Sequence, residues 1–242
     1  MYEAVHAVPD GDATAARHAL TAREYGFEGV VVRNHSDAAA DVDADRIESE
    51  YGVAVVAGVE IRAGDPEAAS GYLGNYREDH LLLALHGGTT ALNRFGTAQD
   101  RLDVLAHPLD GDGEFDHVMA RAAADHGVRV EVNLGRVLRR DGGPRVQAIR
   151  DLRHFRKLIE QYDVPYVVSA DPHSHLQLRA PRELVAVGSQ IGFEPAEIET
   201  GLREWERVVE RNRERLSADF LEPGVWGGRY DESPMADESD DG

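Results

Sequence analysis

Seven short apolar runs punctuate the chain, at residues 2–8, 29–34, 53–61, 80–86, 102–107, 128–134 and 164–170. Stretches such as Val30-Val31-Val32, Leu81-Leu82-Leu83-Ala84-Leu85 and Val167-Val168 lack the polar alternation of a half-solvated sheet, the pattern of parallel strands covered on both faces. Between them, apolar positions recur every three to four residues. Asp12 or Thr14 precedes a helix carrying Ala15, Ala19, Leu20 and Ala22, and Asp41 or Asp43 precedes one that stops at Tyr51-Gly52. Asp116 opens a helix through Val118, Met119 and Ala122 to Gly127. The breaker Asp141-Gly142-Gly143-Pro144 leads into a helix over 145–162, with Val146, Ile149, Leu152, Phe155, Leu158 and Ile159 along one stripe. Two further helices are expected over 181–188 and 195–215. Repeated β-α units make a parallel sheet. Seven of them in 242 residues predict an α/β fold, a TIM-like barrel of about seven parallel strands, spanning 1–216. From Ser217 the pattern dissolves, and 217–242, acidic and poor in apolar residues, is expected to be a disordered solvating tail.

Charge changes this picture. The formal charge is -19, and Lys157 is the single lysine, every other basic residue apart from histidine being arginine. Short carboxylates keep a surface hydrated where salt competes for water, and the near absence of lysine stems trims exposed apolar surface, so the composition is salt-adapted. In molar salt, charge repulsion is screened within about 3 Å, so acidity does not exclude an RNA partner. Such contact then leans on bidentate arginine, stacking and shape. Cysteine is absent, so any metal must be held by His, Asp, Glu or Asn. No apolar run reaches a membrane span, and the expectation is a cytoplasmic protein with no membrane partner.

If the seven runs are barrel strands, their carboxyl ends form one rim, where barrel proteins place their chemistry. There stand His6, His35, Glu60, His86, His107, Glu131 with Asn133, and Asp171 with His173. Imidazoles and carboxylates converging from many strands are what a Zn or Mn site needs. In order, Val5-His6, Asn34-His35, Gly58-Val59-Glu60, Leu85-His86, Ala106-His107-Pro108, Val130-Glu131-Val132-Asn133 and Asp171-Pro172-His173 resemble the polymerase and histidinol phosphatase (PHP) superfamily of metallohydrolases. That superfamily usually opens on two histidines one residue apart, and here the first is Ala4. His35, Glu60, His86, His107, Asp171 and His173 remain able to hold one ion. His18, His80, His126 and His154 are read as ordinary surface or helix residues.

A narrower resemblance covers about two thirds of the chain. Phe115-Asp116-His117-Val118-Met119-Ala120-Arg121, the run from Val130 to Leu138, the helix leading into Asp163-Val164-Pro165, and Leu178-Arg179-Ala180-Pro181-Arg182-Glu183-Leu184 together resemble the ribonuclease P protein component 3 family, itself PHP-like. The resemblance implies an accessory subunit with no catalytic residue of its own and no required cofactor. By the same resemblance, the RNA subunit is expected to perform the Mg-dependent removal of the 5′ leader from precursor tRNA. The implied partners are ribonuclease P RNA, precursor tRNA, a small RRM-like protein subunit and other ribonuclease P proteins. Candidate RNA contacts are arginines beside turns or helix starts: Arg33, Arg62, Arg94, Arg121, Arg136, Arg179 and Arg182. Gly87-Gly88-Thr89 could cradle a phosphate, or simply form a tight turn. The competing reading is a stand-alone PHP-type metal-dependent phosphoesterase, for which His6, His35, Glu60, His86, His107, Asp171 and His173 would hold Zn or Mn.

Overall fold

The computed structural model describes residues 1–216 together with 220–222 and 225–226. Its strands are β1 Tyr2–Val5, β2 Gly29–Val32, β3 Ala54–Ile61, β4 Leu82–His86, β5 Val104–Ala106, β6 Arg129–Asn133 and β7 Tyr166–Ser169, paired in parallel in sequence order. The helices are α1 Ala15–Tyr25, α2 Ala44–Tyr51, α3 Pro66–Tyr76, α4 Thr90–Thr97, α5 His117–His126, α6 Gly135–Arg139, α7 Gly142–Tyr162, α8 Pro181–Ile191 and α9 Pro195–Arg215. Thr14 and Asp43 are the actual caps of α1 and α2, each accepting a backbone N–H three residues on. Helix α7 begins at Gly142, earlier than expected, because Gly142 takes φ 56° and lets Gly143 and Pro144 stand inside the first turn, where proline is tolerated. Within the segment expected to lack structure, Phe220–Glu222 and Val225–Trp226 form a two-stranded antiparallel ribbon, β8 and β9; the remainder of 217–242 lies outside the described residues.

Strand alternation divides the apolar residues in two. Val30, Val32, Leu83, Leu85, Val130 and Val132 face the helices, while Ala4, Val31, Val56, Leu82, Ala84, Val104 and Val167 fill the barrel interior with Trp205. Among the described strands, β1 and β7 are not paired with each other. Glu3 spans that seam with its side chain, its carboxyl accepting the N–H of Ala170 at 3.1 Å and of Ala4 at 3.1 Å. Helix α9 packs on β7 and β1 and closes the amino-terminal mouth of the barrel. Its Trp205 Nε1 donates to Val168 O at 2.8 Å, its Arg211 pairs with Asp103, and its Asn212 donates to Leu81 O at 2.7 Å. With that end shut, only the opposite rim is open to chemistry.

Candidate metal and RNA-contact residues

Alternation carries the rim residues inward. On β1 Ala4 faces the interior and His6 follows in the same sense; on β2 Val31 is followed by Arg33 and His35; on β3 Val56 by Glu60; on β4 Ala84 by His86. His107 should point outward by this count, since Ala106 faces in. It adopts φ 52°, which breaks the alternation and turns its ring to the centre. Asp171 also has positive φ, 51°. Such conformations cost about 1–2 kcal/mol in non-glycine residues and persist only where neighbours hold them. Here the amide of His107 donates to Glu131 at 3.0 Å, and that of Asp171 donates to Ser169 Oγ at 2.7 Å.

The candidate ligands meet in one cluster. His6 Nε2 lies 3.3 Å from Asp171 Oδ1 and 3.9 Å from Glu60 Oε2; His107 Nε2 lies 3.4 Å from Glu60 Oε1 and 3.8 Å from Asp171 Oδ1. His35 Nε2 and His86 Nδ1 approach Glu60 Oε1 at 3.3 and 2.6 Å. His173 stacks on His6 with ring centres 4.3 Å apart and stands 3.9 Å from Asp171. Asp10, which the strand-end reasoning missed because it lies in the loop after β1, binds His6 Nδ1 at 2.6 Å and His35 Nδ1 at 2.8 Å. His18, read from sequence as an ordinary surface or helix residue, is buried behind the cluster, its Nε2 3.2 Å from His6 O; burial lowers its pKa to about 4.

Arg33 stands among these groups. Its guanidinium donates to Glu60 Oε2 at 2.6 Å, to Asp171 Oδ1 at 3.2 Å and to Glu131, with no exposed surface. This corrects the expectation that Arg33 contacts RNA: a side chain sealed in the barrel cannot reach a polymer outside it. The Val31, Arg33, His35 alternation carried that information. Burial favours protonated carboxylates, yet Arg33 and then His107 hold Glu60 well below the usual range, and the close approach of His6 with the charges of His107 and Arg33 does the same at Asp171. In His107 burial opposes the charge, but Glu60 and Glu131 push the pKa up to about 10. His6 is raised too, against burial, by its hydrogen bond to Asp10 and the nearby carboxylate of Asp171.

His6 Nε2 and His107 Nε2 are buried without a hydrogen-bond partner among the described residues. Ligands held about 2.0–2.2 Å from a tetrahedral ion stand about 3.3–3.6 Å apart. His6, Glu60 and His107 bring one ligand atom each within reach of a common point, with Glu60 3.4 Å from His107 and 3.9 Å from His6, and nitrogen-oxygen donors of this kind suit Zn or Mn.

The other arginines are not brought together. Arg62 pairs with Asp37 at 3.2 Å, and Arg121 lies over Tyr162 at 5.9 Å. Arg179 donates to the carbonyls of Leu176 and Leu178. Arg94 and Arg182 are exposed on α4 and α8, and Arg136 borders a cleft. Gly87-Gly88-Thr89 is a packed turn: a Cβ on Gly87 would meet Asn93 Oδ1 at 2.4 Å, and the Gly88 amide already donates to that oxygen.

Comparison with known proteins accords with this architecture. The chain is 57% identical over 225 residues, 93% of its length and 96% of the relative's, to ribonuclease P protein component 3 of Haloarcula marismortui. A chain in a cryo-EM structure of archaeal ribonuclease P with mature tRNA shares the fold with a TM-score of 0.79 at 23% identity, over 93% of this chain and 96% of that one. The histidinol phosphate phosphatase of Lactococcus lactis, solved with zinc, histidinol and phosphate, shares it at 0.56 and 12% identity, over 80% and 94%. The model of the family described as RNase P subunit p30 matches residues 1–217, and the chain belongs to that family.

Proposed function

We propose that the chain acts as an accessory protein of ribonuclease P, stabilising an RNA that itself carries out the Mg-dependent removal of the 5′ leader from precursor tRNA. Its expected partners are that RNA, precursor tRNA, a small RRM-like subunit and the other ribonuclease P proteins, in the cytoplasm. Among the described residues no helix is long and apolar enough to cross a membrane.

The observation that carries this reading over a stand-alone phosphoesterase is Arg33. A hydrolytic metal cluster needs its carboxylates free to bind ions and a water. Here one fixed cation engages Glu60, Glu131 and Asp171 from inside. Arg33 takes Glu60 Oε2 and leaves Oε1 facing His107, so the triad His6, Glu60 and His107 would hold at most a single Zn or Mn ion. When bound, the ion would supply positive charge that ties three strand ends together. Asp10 orients His6 and His35 through their Nδ1 atoms, as carboxylates orient imidazoles around metals.

Co-purification tests the proposal. A tagged chain isolated at high salt is expected to bring down ribonuclease P RNA and precursor-tRNA cleavage. Recovery of neither, together with metal-dependent phosphoesterase turnover by the isolated chain, would establish the stand-alone enzyme instead.

A further inference from the structure

The chain as a whole carries 26 Lys and Arg against 45 Asp and Glu, yet between Arg136 and Lys157 it carries eight against two. That segment is α6 and most of α7. It is the reverse of the molecule's charge, and the single lysine lies within it. It also borders an open cleft of about 780 Å³ between the start of α5 and the flank of α7.

The cleft's acidic groups are mostly committed. Asp116 caps α5 by accepting from Val118 and Met119, and Asp151 accepts from Gln147 at 2.7 Å and pairs with Arg136 at 3.5 Å. Its cations are less so. Arg150, His154 and His117 line the cleft, are exposed, and have no hydrogen bond or ion pair among the described residues. Arg136 is largely enclosed, with Nε and Nη1 unsatisfied by any hydrogen bond there. Arg150 and His154 are one turn apart on α7, about 5–6 Å between Cβ atoms, a spacing suited to successive phosphates of a strand.

We infer that this cleft, with the exposed Arg150, His154 and Lys157 of α7, forms the surface on which the subunit holds the phosphate backbone of RNA. The inference rests on the ribonuclease P reading and assigns its RNA contact to one place. A surface this acidic cannot attract RNA by long-range field, and in concentrated salt no field reaches far. Contact must be local, and guanidinium groups, weakly hydrated and forked, serve that purpose. A protein occupant would need a buried apolar anchor. Beside the cleft the exposed large hydrophobics are Val118 at the start of α5 and Val146 on α7, with no exposed Phe, Tyr or Trp on either helix among the described residues.

The chain contains no cysteine, so a single introduced thiol can be labelled cleanly. Gln147→Cys, in the cleft, and Ala68→Cys, on α3 over β3 and β4, are each coupled to iron-EDTA within affinity-purified ribonuclease P. Hydroxyl radicals from position 147 are expected to cut the RNA at discrete sites, and those from position 68 to leave it intact. Separately, R150E with K157E is expected to lower recovered RNA about tenfold or more at molar salt. RNA left uncut from position 147, or a polypeptide cut there in its place, overturns the inference. So does unchanged RNA recovery by the double variant. Assemblies lacking RNA altogether in the unsubstituted chain would instead overturn the ribonuclease P reading beneath it.

Discussion

Arg33 Nη1 donates to Glu60 Oε2 across 2.6 Å in the centre of the barrel, and neither side chain has any exposed surface. The same guanidinium engages Glu131 and Asp171, so one cation compensates carboxylates from three strand ends. Removing one partner of such a buried set leaves charge uncompensated, at a cost of about 3–5 kcal/mol. Arg33→Met is therefore expected to destabilise the fold by that order, measured by urea unfolding at fixed salt. Arg33→Lys keeps the charge but not the fork, and should lose less. A loss of RNA recovery with unchanged stability would place Arg33 outside the interior role described.

Metal addition offers a second test. An ion that binds only the folded chain at 100 times its dissociation constant stabilises it by about 2.7 kcal/mol. Zn or Mn is expected to raise the Tm of the chelator-treated protein with one ion bound per chain, read by elemental analysis. His107→Ala or His6→Ala should abolish both the shift and the bound ion. A shift that survives both substitutions would move the ion elsewhere.

Much of this was legible in the sequence. The β-branched runs located all seven strands, because parallel strands buried on both faces are apolar throughout. The rim followed from the strand ends. Asp10 and His18 escaped because neither lies on a strand: one reaches the cluster through a loop, the other through the second turn of α1. Arg33 reads as an exposed RNA contact because charged side chains are almost never buried unless paired, and its partners lie 27 to 138 residues away in the chain. The inward turn of His107 depends on a backbone dihedral that no periodicity records.

Glu3 supplies a pH signature at the seam between β1 and β7. Burial, offset in part by hydrogen bonds from Ser169, Ala170 and Ala4, raises its pKa from 4.5 to about 8. The folded chain thus holds a proton there that the unfolded chain releases near pH 4.5. The resulting stability is complete below about 4.5 and is lost as pH rises through about 8. Glu3→Gln keeps the shape without the ionisation, and should flatten the decline of unfolding free energy between pH 5 and 8, about 1.4 kcal/mol per unit at most. An identical slope in the two proteins would remove Glu3 from the account.

The closure of the barrel by α9 depends on close approach at Gly201. A Cβ added there would stand 2.4 Å from Val168 Cγ2 and 3.1 Å from the Val168 backbone nitrogen, contacts too short to keep. The side chain could rotate away, but the strand cannot, because the Val168 carbonyl also accepts the indole N–H of Trp205. Gly201→Ala must therefore lift α9 from β7, loosening both the Trp205 bond and the seam that Glu3 spans. Alanine favours helix by about 1 kcal/mol over glycine, whereas overpacking costs about 1–3 kcal/mol. The net expectation is destabilisation. At Gly74 on α3, where a Cβ meets nothing within 4 Å, the same substitution should stabilise. Chemical denaturation of the two variants side by side checks the sign, and stabilisation by both would mean that α9 can shift without disturbing the seam.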